Sequence, residues 1–555
     1  MKHGLVRKSH LVFIAAALLL CVMLTSCSKS ENNETGSPTP ANITTGEATQ
    51  TPGKKEDISV SVYDRGNIPA EEGNATKNRW TDWINEKGPA NVKFVPIPRW
   101  EEEQKFNTLF ASGGAPDLIF TWNPTIQNSL FAQKQLMPLD ELIETYSTDY
   151  KQLLTKYPAL KKMGMKSDGK TYGFGMVVPF DIESILFVRA DWLKKLQLEA
   201  PTTTEELFNT LKAFVEQDPD GNNKKDTFGI NLSFVGGQVI DNMFGVGGYY
   251  SVTPDGQYVR NWEREAAMAA FKKRLYDEKL VDKDFLTDKS GEKAQQDFVN
   301  GKLGMYAVNG GASATGFKVY EALKTNNPNA EVIAIPLPKS EFGQFSPIVS
   351  APLYNTAVVN AQAKHPEAVM QYVDFLVRES TAKTLKYGLE GIHYNVGANG
   401  CPQSIDSDKS TKELSWTADL RMLSFDILEG ECADYVTTLD VKKPLEQEYA
   451  DIVQSARTSY LSPERPIHYD IDLNSMPSLP QDLQLARSSG LEAVFDTYAK
   501  AVVGGASYTA EQAAEDAKTA WNRAGGKQLD EFYAKWFSEN KDSIVYTKDY
   551  YSMKF

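Results

Sequence analysis

From Ile58 onward, short β-branched runs alternate with amphipathic runs of helical period, and this alternation constrains the fold more than any other feature. ISVSVYDRG sets an apolar residue at every second position, the period of a half-buried strand. A helix-like stretch around Trp80–Asn85 separates it from VKFVPIPRW. EEEQKFNTLFASGGAPDLIFTW then places Phe106, Leu109 and Phe110 at helical spacing, breaks at Gly113-Gly114 and resumes as a strand over Asp117–Phe120. SILFVRADWLKKLQLEAPTTTEELFNTLKAFVEQ repeats that order. Ser184–Val188 extends, Trp192, Leu193 and Leu196 share an apolar face, and Thr203 or Thr204 can N-cap a helix with Glu205 and Glu206 in its first turn. FVNGKLGMYAV and EVIAIPLP read as buried strands, a helix starts near Pro366, and the C-terminal region from Gly490 is helical in period. Strands alternating with helices of this length build α/β layers. The expected body is two α/β units or one very large one, since 41% apolar composition over this length supplies more than one core.

The N-terminus has a separate purpose. Lys2, Arg7 and Lys8 precede an apolar run of fourteen residues, Leu11 to Leu24. That run is too short to cross ~30 Å of hydrocarbon as a stable helix, and with its positive flank it describes an export signal. Leu24-Thr25-Ser26-Cys27 resembles the lipobox of bacterial lipoproteins, in which the signal is cut before a cysteine that carries lipid. The resemblance implies a signal peptide over 1–26 and lipidation at Cys27, anchoring the protein to the outer face of the cell membrane; the alternative is an ordinary signal cut near Ser26. The segment 27–57 is rich in Ser, Thr, Asn, Gly and Pro, has almost no large apolar residue, and is expected to be a flexible tether.

The formal charge is −14, and loss of Lys2, Arg7 and Lys8 takes the mature chain to about −17. So acidic a surface argues against nucleic acid or anionic lipid as partner, because phosphates need Lys and Arg. Of four cysteines, Cys21 leaves with the signal and Cys27 is the lipid site, so Cys401 and Cys432 remain. An exported pair can bridge or stay free, and two residues support neither a disulfide scaffold nor a zinc site.

Catalytic signatures are missing. GGASATG and GGASYTA break the G-x-S-x-G elbow at Thr315 and Thr509. There is no H-E-x-x-H, P-loop or dinucleotide-binding glycine pattern. Only His365, His393 and His468 survive maturation. A secreted carbohydrate-active enzyme stays as an alternative because glycosidases need only two carboxylates; a surface sensor or adhesin is another.

FVRADWLKKLQLEAPTTTEEL, DPDGNNKKDTFGI, FVNGKLGMY, KHPEAVMQYVDFL, YGLEGIHY and AEQAAEDAKTAWNRAGGKQLDEFYAKW occur in this order across the body. Together they resemble the extracellular solute-binding lipoproteins of ABC importers, family 1 type, near the alginate- and oligosaccharide-binding branch. The resemblance implies a two-lobed, periplasmic-binding-protein-like clamshell of α/β lobes, each discontinuous, closing about a hinge. By analogy lobe 1 spans 58–175 and 345–435, and lobe 2 spans 176–344 and 436–555. It also implies capture of an extracellular oligosaccharide or similar polar solute, delivery to ABC permease subunits, no catalysis, and action as a monomer. Open α/β sheets bind ligand beyond the carboxyl ends of their strands, and interlobe clefts are ready-made sites.

QDPDGNNKKDTFGI fits a calcium loop in part. With Asp218 at position one, Asp220, Asn222, the Lys224 carbonyl and Asp226 fall on the alternate positions that curl oxygens around a cation. Asn223 stands where an EF-hand has its turn glycine and Gly229 where it has its bidentate glutamate, so the loop is not an EF-hand. It resembles the calcium loop of the alginate-binding relatives, with Thr227 where those carry a further acid. An Asx-rich turn closing a helix at Gln217 is the other reading.

Sugars offer hydroxyls and flat C–H faces, which aromatic platforms, carboxylates, amides and arginines receive. Residues following strands are the candidates: Asp64, Arg65, Trp122, Asn123 and Asn309, with Asp181 and Glu183 near the first interlobe crossing and Tyr394 at a hinge or cleft wall. Trp122 can equally be core, and acids at a crossing can simply pair locally. Trp192, Trp416, Trp521 and Trp536 read as core, and His365 as surface. No Lys/Arg cluster accompanies the candidates, which favours neutral oligosaccharides over uronates.

Overall fold

Each strand-like run is a strand in the computed structural model, which describes residues 55–552 except 425–429, 431, 478 and 543. The expected signal peptide, Cys27 and the expected tether as far as residue 54 lie outside the described residues. In chain order the strands are β1 (Asp57–Asp64), β2 (Asn91–Pro98), β3 (Leu118–Phe120), β4 (Gly173–Val177), β5 (Ser184–Arg189), β6 (Phe228–Ile230) and β7 (Tyr250–Val252). They continue with β8 (Tyr258–Arg260), β9 (Leu303–Asn309), β10 (Val332–Ala334), β11 (Leu353–Val359), β12 (Tyr394–Val396) and β13 (Pro402–Ser404).

Two sheets organise the body. The first has the order β2-β1-β3-β11-β4 and the second β10-β5-β9-β6. β1 runs parallel to β2 with Ile58 opposite Val92 and Val60 opposite Phe94, and β11 returns antiparallel between β3 and β4. In the second sheet β5 is antiparallel to β9, and β6 is parallel to β9. β4 and β5 are buried along their whole length, which explains runs that read as nearly continuous apolar residues.

Local chemistry sets the helices. Thr203 caps Thr204–Glu216 in a capping box with Glu206, and Pro366 occupies the first turn of Pro366–Val377. The polar helix Glu102–Ala111 buries Phe106. Trp192 is buried against Phe214, and the C-terminal helices Gln481–Val503, Ala510–Arg523 and Gly526–Asn540 bury Trp521.

The first sheet and its helices share one core, drawn from residues 58–177 and 353–423. The second sheet shares another with residues 439–460, and the C-terminal helices form a third with the β7-β8 ribbon. The chain therefore passes between the first two cores after β4, before β11, and again after Leu423. The first two passages run side by side: Val178 N–H donates to Pro352 O at 3.0 Å, Glu183 N–H to Ile348 O at 3.0 Å and Ser350 N–H to Asp181 O at 2.8 Å. Cys401 and Cys432 are bridged, Cα–Cα 5.3 Å, resolving the alternative the sequence left open and tying the β12-β13 ribbon to the third passage.

Candidate functional site

Beside the paired passages lies a cavity of about 430 Å³ with walls from the first two cores and from the segments 348–351 and 468–473. Trp122 follows β3, and Tyr354 lies on β11; their rings meet edge to face at 5.7 Å between centroids. Glu183 ends the first passage, and the Tyr354 hydroxyl donates to its Oε1 at 3.4 Å. The second-sheet wall carries Gln238, Asp241 and Asn242 from the helix Val235–Met243, followed by Tyr249. His468 and Tyr469 close the remaining side.

Glycines make these approaches possible. A Cβ at Gly236 would stand 2.3 Å from Asn231 O, so only glycine lets the helix start this close to the end of β6 and swing Gln238 and Asp241 inward. At Gly247 a Cβ would meet the His468 ring at 1.6 Å.

The site is acidic and rich in hydrogen-bonding groups. Burial pushes the Glu183 carboxyl up, opposed by the Tyr354 hydroxyl. Burial also raises Asp241, opposed by the Lys272 ammonium at 2.5 Å. Burial drives His468 down to about 4, so its imidazole is neutral at physiological pH. Asn242 Nδ2 and His468 Nδ1 are buried with no hydrogen-bond partner, one a donor and one a nitrogen able to accept. Neither Lys nor Arg is among the described residues lining the cavity.

Of the residues singled out from the sequence, Trp122 and Glu183 meet here. Asn123 lies just outside, its side-chain oxygen capping Pro124–Ala132 through Thr125 N–H. Asp64 accepts from Gly66 N–H, and Arg65 makes a two-pronged ion pair with Asp419, Nε–Oδ2 2.6 Å. Asp181 receives Arg457 Nε at 2.9 Å in an ion pair that includes Asp434. Asn309 ends β9 opposite Ser184 and is exposed. Tyr394 is buried and lines a different pocket with Lys318 and Arg421. The second-sheet wall escaped sequence reasoning because Gln238, Asp241 and Asn242 sit within one largely buried helix. Its signal was the double glycine Gly236-Gly237, two residues after Phe234, which is held at φ +48°.

The acidic loop turns through Asp218, Gly221 and Asn223, all at positive φ. Asn223 N–H donates to Asp218 Oδ2 at 3.1 Å, Asn222 Nδ2 to Asp220 Oδ2 at 2.6 Å and to Asp226 Oδ1 at 3.0 Å, and Lys224 N–H to Asn222 Oδ1 at 2.7 Å. Asp218 Oδ1 is buried without a partner. Burial and the neighbouring Asp218 and Asp226 raise the Asp220 carboxyl, while Asn222 and Lys302 lower Asp226. Among the described residues no three His, Cys, Asp or Glu side chains are grouped as a metal cage. The Asn222 amide stands between Asp220 and Asp226.

Comparison with known proteins places this geometry. The chain is 24% identical over 540 residues to the lipoprotein LipO of Bacillus subtilis strain 168, covering 94% of this chain and 97% of LipO. It is 26% identical to the polygalacturonan/rhamnogalacturonan-binding protein YtcQ of the same organism, covering 80% of this chain and 85% of YtcQ. The solved structure of the Streptococcus pneumoniae ABC-transporter substrate-binding protein FusA with kestose superposes with a TM-score of 0.64 at 16% identity, over 88% of this chain and all of FusA, and shows the same fold. The profile of the bacterial extracellular solute-binding proteins matches residues 71–383, more than half of the sequence, and the chain belongs to that family.

Proposed function

We propose that the protein captures a neutral oligosaccharide in the cavity beside the interlobe passages, releases it chemically unchanged, and hands it to the permease of an ABC importer. The lobes, 58–175 with 345–435 and 176–344 with 436–555, would close on it about the passages. One observation carries this reading: the cavity joins an indole and phenol rings to buried, unpartnered Asn242 Nδ2 and His468 Nδ1. Flat aromatic faces take the C–H side of a sugar ring, and fixed polar atoms select its hydroxyls. The names of relatives support a saccharide, kestose for FusA and polygalacturonan for YtcQ. Glu183 and Asp241, with no Lys or Arg among the described lining residues, favour a neutral sugar over a polyuronate. Lipid attachment at Cys27 would keep the body at the outer face of the membrane.

The experiment is a thermal-shift screen of the mature body against kestose, maltotriose, xylotriose and trigalacturonate, with mass analysis of recovered ligand. A neutral member should raise Tm and return intact, and trigalacturonate should not. Stabilisation by trigalacturonate alone, or cleavage of the ligand, overturns the reading.

Calcium belongs to the same proposal. Asp218, Asp220, Asn222, the Lys224 carbonyl and Asp226 would hold it, and the buried Asp218 Oδ1 and the raised Asp220 carboxyl fit a loop that a cation completes. When bound, the ion would neutralise the mutual repulsion of the acids and pin the loop. Chelation should lower Tm and added calcium restore it; an unchanged Tm contradicts it.

A further inference from the structure

Trp100 is 84% exposed, the most exposed large apolar side chain among the described residues. An indole left in water forfeits its burial free energy, and one exposed apolar side chain is by itself ordinary, so its surroundings decide what it can do. Trp100 is held in place from beneath. It sits on the turn Arg99–Glu101 that ends β2, and its neighbour Arg99 donates to Glu102 Oε1 at 3.0 Å. The Arg99 guanidinium also lies 4.7 Å from the Tyr63 ring centroid and 5.4 Å from that of Trp100. Buried Glu102 accepts the Tyr63 hydroxyl and the Thr121 hydroxyl, and Tyr63 Oη in turn accepts Trp122 N–H at 3.1 Å. Arg99, whose guanidinium faces the Trp100 ring, thus joins a hydrogen-bonded network that also holds the backbone of Trp122 at the cavity.

A groove of about 770 Å³ runs along Trp100, Gln104, Asn107 and Asn123. Asn123 of the groove lies in sequence between Trp122 and Pro124, both of which line the cavity. Its amides can pair with hydroxyls in either sense, and its exposed indole offers a flat face.

We propose that this groove is an outer subsite for units of an oligosaccharide too long for the cavity, with Trp100 as its stacking platform. The inference rests on the cavity reading and adds that the ligand extends past Asn123. Longer saccharides gain a contact that short ones never reach, so Trp100 sets chain-length preference and leaves the inner units untouched.

The test is calorimetric titration of the mature wild-type, Trp100→Ala and Trp100→Phe proteins with malto-, fructo- and xylo-oligosaccharide series, each from disaccharide to hexasaccharide. Trp100→Ala should weaken the hexasaccharide of the bound series about 2- to 12-fold, the range of one aromatic contact. It should leave the shortest bound member and Tm unchanged, and Trp100→Phe should recover most of the loss. The hexasaccharide should also protect wild-type fluorescence from acrylamide more than the shortest bound member does. Equal affinities across lengths in Trp100→Ala and wild type, or an equal loss at every length, overturn this inference and leave the cavity reading standing. Binding of no series to the wild type overturns both.

Discussion

Arg457 holds two of the passages between cores, and its removal gives a measurable loss. Its Nε donates to Asp181 Oδ1 at 2.9 Å on the first passage, and Nη1 and Nη2 reach Asp434 at 2.7 and 3.0 Å on the third. Burial alone disfavours its charge, but the hydrogen bonds it donates to both acids together outweigh burial and raise its pKa. The side chains are 19%, 23% and 31% exposed for Arg457, Asp181 and Asp434, so solvent screens the group only in part. A charge-assisted hydrogen bond is worth ~1.5–3 kcal/mol net, an exposed pair ~0–1, and loss of one partner of a fully buried pair ~3–5. Arg457→Met, which also leaves two carboxylates facing each other, should therefore cost ~2–3 kcal/mol. Spread over a body of this size, with ~2.1 cal/mol/K of unfolding entropy per residue, that lowers Tm by only ~2–3 °C. Urea denaturation resolves it better, and small-angle scattering should show a larger radius without ligand. Arg457→Lys keeps the charge without the fork and should recover less than half of the loss. A Met variant with wild-type midpoint and radius would refute the reasoning.

Two further effects follow from a buried histidine of the cavity wall and from the disulfide. His468 is neutral in the folded protein, with its pKa lowered to about 4 by burial, whereas an unfolded histidine titrates near ~6.5. The unfolded state thus binds the extra proton first, and stability present in full above ~6.5 falls by ~3 kcal/mol as pH drops to ~4; His468→Gln should flatten that slope in pH-dependent urea titrations. The Cys401–Cys432 bridge closes a loop with sequence separation 31, which the chain-entropy relation values at ~3–4 kcal/mol. The Cys401→Ser/Cys432→Ser double variant should unfold correspondingly earlier and be nicked by protease sooner near Cys432, and equal midpoints with and without the bridge would contradict this.

The elements were legible where local chemistry acts alone. Alternation along Ile58–Tyr63, the Thr203–Glu206 capping box and the apolar face around Trp192 each name an element without tertiary information, and each forms. The site was legible only from its first-core side. Trp122 and Glu183 follow or precede strands, where an open sheet presents side chains to a crevice. Arg65 and Asp181 had the right position but met partners, Asp419 and Arg457, more than 270 residues away in sequence, and no local pattern encodes such pairings. His468 and Tyr469 were invisible for a different reason: they belong to a segment between helices with no strand period, carried to the cavity by packing alone. The acidic loop shows the limit of spacing. Its residues alternate as a cation loop requires, yet the amide of Asn222 bonds the acids it was expected to join in ligation.

The most direct measurement is a crystal structure of the mature body grown with the neutral oligosaccharide that stabilises it most. The account predicts an intact sugar between the two sheets, one ring on the Trp122 indole, with hydroxyls within hydrogen-bond reach of Asn242 and His468. Density for a cleaved sugar, or for a ligand bound elsewhere with this cavity filled only by water, would contradict it.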